Sequence, residues 1–154
     1  MKRSVLAMMV VAALAPCGWV LAQDAQSLDE PRLLRSADDA ARTGDAVSAI
    51  QLYQSAIIYM PGDALPYQHL AELYVRQGQL ELARQYFSLA LDVQPAYAPA
   101  LQGLALLDLA TGDRAGAVAQ HEVLLRACGA NCPETAQVEK ALNTAAAAPA
   151  PKSP

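Results

Sequence analysis

The chain has 154 residues, 54% of them hydrophobic, with 11 basic and 15 acidic side chains and a net charge of −4. That length suits one domain with a tail. The acidic balance argues against a partner held through its phosphates, nucleic acid above all.

The first 22 residues stand apart. Lys2 and Arg3 form a positive n-region, Val5 to Ala15 an apolar h-region, and Val20-Leu21-Ala22 a small-residue end. This pattern predicts a secretory signal peptide over residues 1–22, cleaved before Gln23. Two rivals rank below cleavage. Lipidation at Cys17 would set Pro16 where a lipoprotein signal wants a small residue. A retained anchor would be interrupted by Pro16 and Gly18 and barely reach spanning length. Cleavage leaves nine basic residues (11 less Lys2 and Arg3) against 15 acidic ones, a net of −6, and removes Trp19. The expected location is exported, periplasmic in a bacterial cell, with no integral span in the mature form.

Residues 23–29 read as a short polar lead-in. Ser27 and Glu30 have capping-box spacing, and Pro31 suits a first helical turn. Leu33, Ser36, Ala37 and Ala40 mark a first helix. A second runs from Ala46 to Tyr59, with Ile50, Tyr53, Ile57 and Ile58. Tyr67, Leu70, Ala71 and Tyr74 lie on one face of a third. Gly78 interrupts, and Leu80, Ala83, Phe87, Ala90 and Leu91 carry a fourth, closed by Pro95. A fifth holds Leu101, Leu104, Ala105 and Leu107. The chain turns at Thr111-Gly112-Asp113, and a sixth helix follows through Ala117, Val118, Val123, Leu124 and Leu125. An irregular stretch from Ala127 to Pro133 leads to one more helix, from Glu134 to about Thr144. It shows Val138, Ala141, Leu142 and Ala145 inward and Gln137, Lys140 and Asn143 outward. Residues 146–154, AAAPAPKSP, have nothing to bury and are expected to be disordered.

The pattern repeats every 34 positions. Ala37, Ala71 and Ala105 are spaced so, as are Gly44, Gly78 and Gly112, and Ala49, Ala83 and Ala117. Tyr53 and Phe87 match, with His121 third. Ala56 and Ala90 match, with Leu124 third. Pro61 and Pro95 match, with Gly129 third. The unit resembles the tetratricopeptide repeat, a helix–turn–helix of that period. Each repeated residue has a reason. The alanines allow close helix crossing, the glycines end the first helix in a left-handed conformation, and Asp45 and Asp113 cap the next.

The expected fold is all-α: an α-solenoid of three tetratricopeptide hairpins (30–63, 64–97 and 98–131) plus a C-terminal capping helix over residues 132–145. The outer face of that last helix should be polar, as the end of an array requires.

Cys128 and Cys132 are the cysteines left after cleavage. An even count in an exported protein points to a disulfide, and Gly129 and Pro133 favour a turn that lets the sulfurs meet. A redox-active pair is the lesser alternative, since the spacing is not C-x-x-C. Two cysteines plus His121 leave a metal ligand set incomplete, so no metal or other cofactor is expected. His121 is expected to pack in its repeat's aromatic slot and His69 beside the core. Neither has a nucleophile or paired carboxylate at an informative spacing, so the chain is read as a non-enzyme.

In the tetratricopeptide family the first helices of successive repeats line a groove that holds a peptide. The resemblance carries that role to Leu34, Asp38, Ala41 and Arg42 in repeat one. In repeat two it falls on Gln68, Glu72, Val75 and Arg76, and in repeat three on Gln102, Leu106, Leu109 and Ala110. A plainer reading pairs Asp38 with Arg42 and Glu72 with Arg76 as solvated i, i+4 ion pairs. Leu106 and Leu109 are candidates for a contact surface unless the terminal helix covers them. The carboxylate clamp of chaperone-adaptor members would fall on Leu34, Asp38, His69, Pro99 and Gly103, which do not supply it. The resemblance therefore implies a non-catalytic adaptor or scaffold that binds another protein, in an envelope assembly. The alternative is an accessory thiol–disulfide or envelope enzyme subunit using Cys128 and Cys132.

Overall fold

The computed structural model describes residues 30–147. The expected signal segment and lead-in, and the tail beyond Ala147, lie outside the described residues. Within them are seven helices and no strand. These are α1 (Glu30–Thr43), α2 (Ala46–Tyr59), α3 (Leu65–Arg76), α4 (Leu80–Val93), α5 (Ala98–Thr111), α6 (Arg114–Ala127) and α7 (Pro133–Ala147). The pairs α1/α2, α3/α4 and α5/α6 form hairpins. Neighbouring hairpins meet through α2/α3 and α4/α5, and α7 packs on α5 and α6. This is the all-α solenoid that the 34-residue period predicts.

The local chemistry follows from the repeated residues. Ala37, Ala49, Ala71, Ala83, Ala105 and Ala117 are all fully buried, which close helix crossing demands. Gly44, Gly78 and Gly112 end α1, α3 and α5 with φ of +84°, +72° and +89°, a region that penalises any Cβ. Asp45 accepts from the Ser48 amide at 3.1 Å and Asp113 from the Gly116 amide at 2.9 Å, so both cap as expected. Gln79 fills the same place in the middle hairpin without a side-chain cap.

One apolar core runs through the first two hairpins into α5, with Tyr53, Leu70 and Phe87 among its members. A second joins α5 and α6 to α7 through Leu101, Leu124, Val138 and Leu142. Two polar ties reinforce the stacking. Arg84 on α4 pairs with Asp108 on α5, and Arg114 Nη1 donates to the Leu142 carbonyl at 3.0 Å.

Two boundaries differ from expectation. The terminal helix begins at Pro133 and extends through Ala147, so Ala146 and Ala147, read as tail, are helical. Alanine is the best helix former, and a helix already docked on α5 and α6 propagates through it at little cost.

Candidate functional site

Three adjoining hollows follow the first helices of the hairpins. The first lies between α1 and α3, over Tyr53 of α2, and is lined by Asp38, Ala41, Arg42, His69, Glu72 and Arg76. The second lies between α3 and α5, over Phe87 of α4. It shares Glu72 and Arg76 and adds Val75, Pro99, Gln102, Gly103, Leu106 and Leu107. The third shares Leu106 and continues past Leu109 and Ala110 to α7, at Lys140, Ala141 and Thr144. Shared residues make the three one groove.

Its first part is polar and tied together. The Tyr53 hydroxyl donates to Asp38 Oδ1 at 2.6 Å. His69 Nδ1 sits 2.9 Å from the same oxygen and 3.4 Å from the hydroxyl. The His69 and Tyr53 rings are 5.6 Å apart. Burial, and then the hydrogen bond to Asp38, raise the Tyr53 phenol well above its ordinary range. This cluster corrects two expectations. Asp38 does not pair with Arg42, which instead takes Asp39 at 2.8 Å. Glu72 does not pair with Arg76; its carboxylate accepts the Gln68 amide. For Asp38, partners 31 and 15 positions away outcompete the local Arg42 pair because the stacked hairpins hold them in place, whereas Glu72 takes its other i, i+4 neighbour.

The candidate groove residues divide. Asp38, Arg42, Glu72, Val75, Arg76, Gln102, Leu106 and Leu109 line the hollows. Gln68 does not: it is 6% exposed, turned into the structure. Leu34 packs against the first core instead. Leu106 remains 38% exposed, whereas Leu109 is half-buried against the second core. Gln102 is engaged by α7, donating to Gln137 Oε1 at 2.6 Å. Tyr53 and Phe87 were legible only as core residues, yet both floor the groove.

Outside the groove, Cys128 and Cys132 bring their sulfurs together with Cα atoms 5.7 Å apart, inside the range a disulfide spans. Glu134 approaches Cys132 Sγ at 2.9 Å, and the three form a compact Cys/Cys/Glu group. Joined to each other, the sulfurs would leave a single carboxylate to offer. His121 is half-buried, and its Nε2 has no hydrogen-bond partner among the described residues.

The family model for the tetratricopeptide repeat matches residues 40–93, from the end of α1 through α4. Over that stretch the chain is similar to the tetratricopeptide repeat. Solved tetratricopeptide structures superpose on it. A repeat protein from Parabacteroides merdae is 19% identical with a TM-score of 0.69; the match covers 80% of this chain and 48% of that one, so this chain spans about half its length. The first repeat domain of Spaghetti (RPAP3), bound to the HSP90 peptide SRMEEVD, is 19% identical with a TM-score of 0.67, over 79% of this chain and 96% of that one. The TPR2B domain of yeast Sti1, in complex with pHsp70, is 15% identical with a TM-score of 0.68, over 78% and 98%. At such identities the likeness is one of fold. Among curated proteins none matches the chain. No helix among the described residues is long and apolar enough to cross a membrane.

Proposed function

We propose that this protein is a non-catalytic interaction module that holds a segment of another protein in the groove along α1, α3 and α5. The observation that carries this reading is the hollow floored by Phe87 between α3 and α5. It has a volume of about 350 Å³ and an exposed Leu106 at its rim. That volume sits at the small end of binding clefts, roughly 300–1,000 Å³, which suits side chains of a peptide. The peptide complexes of similar folds support it by analogy. The signal-like segment at residues 1–22 and the paired cysteines support an exported, periplasmic setting, where the module would serve as adaptor or scaffold in an envelope assembly.

A second reading, a thiol–disulfide accessory, draws on the exposed Cys128 beside Cys132. The Glu134 carboxylate near Cys132 weighs against it, since a negative neighbour disfavours the thiolate that exchange needs.

Photocrosslinking tests the groove. A benzophenone side chain at Gln102 should crosslink a partner in envelope extract, and the same group at Ser88, exposed on α4, should not. Crosslinks from Ser88 alone would sink the proposal. Thiols that turn over a disulfide substrate would favour the second reading.

A further inference from the structure

The two junctions between hairpins use the same repeat positions with opposite results. His69 and Gly103 are 34 apart, as are Tyr53 and Phe87, and Asp38 and Glu72. At the first junction His69 bridges α3 to α1 by reaching Asp38, and the Tyr53 hydroxyl joins them. At the second junction the bridging residue is Gly103. A Cβ there would come within 2.3 Å of the Phe87 ring, so the ring packs directly on the α5 backbone. No side chain spans from Gly103 to α3, and Phe87 has no hydroxyl to recruit Glu72. The cleft therefore stays open, with walls of Val75, Leu106 and Leu107.

The charge at its rim is as specific. Arg42 is held by Asp39 and Glu72 by Gln68. The Arg76 side chain, one turn beyond Glu72, lines the cleft and makes no hydrogen bond or ion pair with the described residues; its charge is felt only through space, by the Tyr53 phenol. A guanidinium with its donors unspent matches a carboxylate in a planar, bidentate manner. Glu72 beside it makes a run of acids unfavourable.

We infer that the cleft over Phe87 and Gly103 takes a bulky apolar side chain of a partner protein's segment, with Arg76 holding one acidic residue next to it. This rests on the groove reading above and names its ligand chemistry. Residues 148–154 do not qualify, because they contain only Ala, Pro, Lys and Ser. Leu28-Asp29 has the required chemistry but precedes Glu30 directly. Docking through it is an outcome of the test below.

Selection from a phage-displayed random dodecapeptide library on the full chain tests this. The expected consensus is one bulky apolar residue beside one acid. Arg76→Glu should weaken the selected peptides at least tenfold and shift a fresh selection toward basic neighbours. Leu106→Asp should weaken them at least tenfold whatever the flanking charge. Both positions are exposed, and unchanged helicity and melting confirm that each variant folds. A consensus lacking the acid, binding within twofold in both variants, or no enrichment would overturn the inference. So would a dimer of the native chain that Arg76→Glu dissolves, which would point to self-docking through Leu28-Asp29. If Gln102 crosslinks a partner but the variants do not discriminate, this inference fails alone. If Gln102 crosslinks nothing, the groove reading falls with it.

Discussion

Phe87 and Gly103 are in direct contact across α4 and α5, with no room between them for a single methyl group. Gly103→Ala should therefore overpack the second junction at a cost of about 1–3 kcal/mol. Trimming the ring should relieve it: Phe87→Leu in the Gly103→Ala background should cost less than the two single changes added. Thermal unfolding of the four proteins in that cycle measures the coupling, and strict additivity would refute the contact.

Arg84 and Asp108 tie the same two hairpins together. The Asp108 side chain is 3% exposed and that of Arg84 34%. Arg84→Met strands a buried carboxylate, so the loss should fall near the low end of the ~3–5 kcal/mol typical of broken buried pairs. Asp39→Asn breaks the exposed Arg42 pair and should cost less than about 1 kcal/mol. Urea unfolding distinguishes them, and equal midpoints would contradict the assignment.

Ala71 is fully buried while Ala41 lies half-open on the groove. Ala71→Leu should force α3 from α4 and cost about 1–3 kcal/mol, whereas Ala41→Leu should be near neutral. Indistinguishable melting temperatures would mean that the crossing lies elsewhere.

Tyr53 gives an alkaline signature. Its folded pKa lies above the unfolded value of about 10, because burial and the bond to Asp38 favour the neutral phenol. The neutral form is therefore favoured by folding. That stability is complete below about pH 10 and is lost as pH rises toward the folded pKa. Phenolate absorbance of the native protein should lag that of the denatured chain. Tyr53→Phe should shrink the lag and cost about 1 kcal/mol at neutral pH for the lost hydrogen bond. An unchanged titration would rule out the Tyr53–Asp38 bond.

The cysteines should be joined in protein purified from an oxidising compartment, where mass spectrometry should find one intramolecular bridge. Reduction should lower stability by about 2 kcal/mol in the chain-entropy account of so short a loop. Two alkylatable thiols in that material would contradict the pairing.

The architecture was legible because each of its signals resides in one residue. Ala71 reports a close crossing, Gly78 a left-handed turn and Asp113 a cap, each through its own size or hydrogen bonding, and the 34-residue period repeats them. The helix start at Pro133 and the reach of α7 into Ala147 were less legible, since docking on α5 and α6 extends a helix beyond where alanine and proline composition suggests a tail. The groove depended on stacking. Asp38 has Arg42 one turn away in sequence, but the fold offers it His69 and Tyr53 from two other helices, and those contacts win. Gln68 reads as a groove residue by register, yet neighbouring hairpins bury it. Gly103 reads as an ordinary small residue until Phe87 is found against it. Periodicity locates each side chain on its own helix; only the superhelical packing of one hairpin on the next decides which side chains from different helices meet, and so where the groove is closed and where it is open.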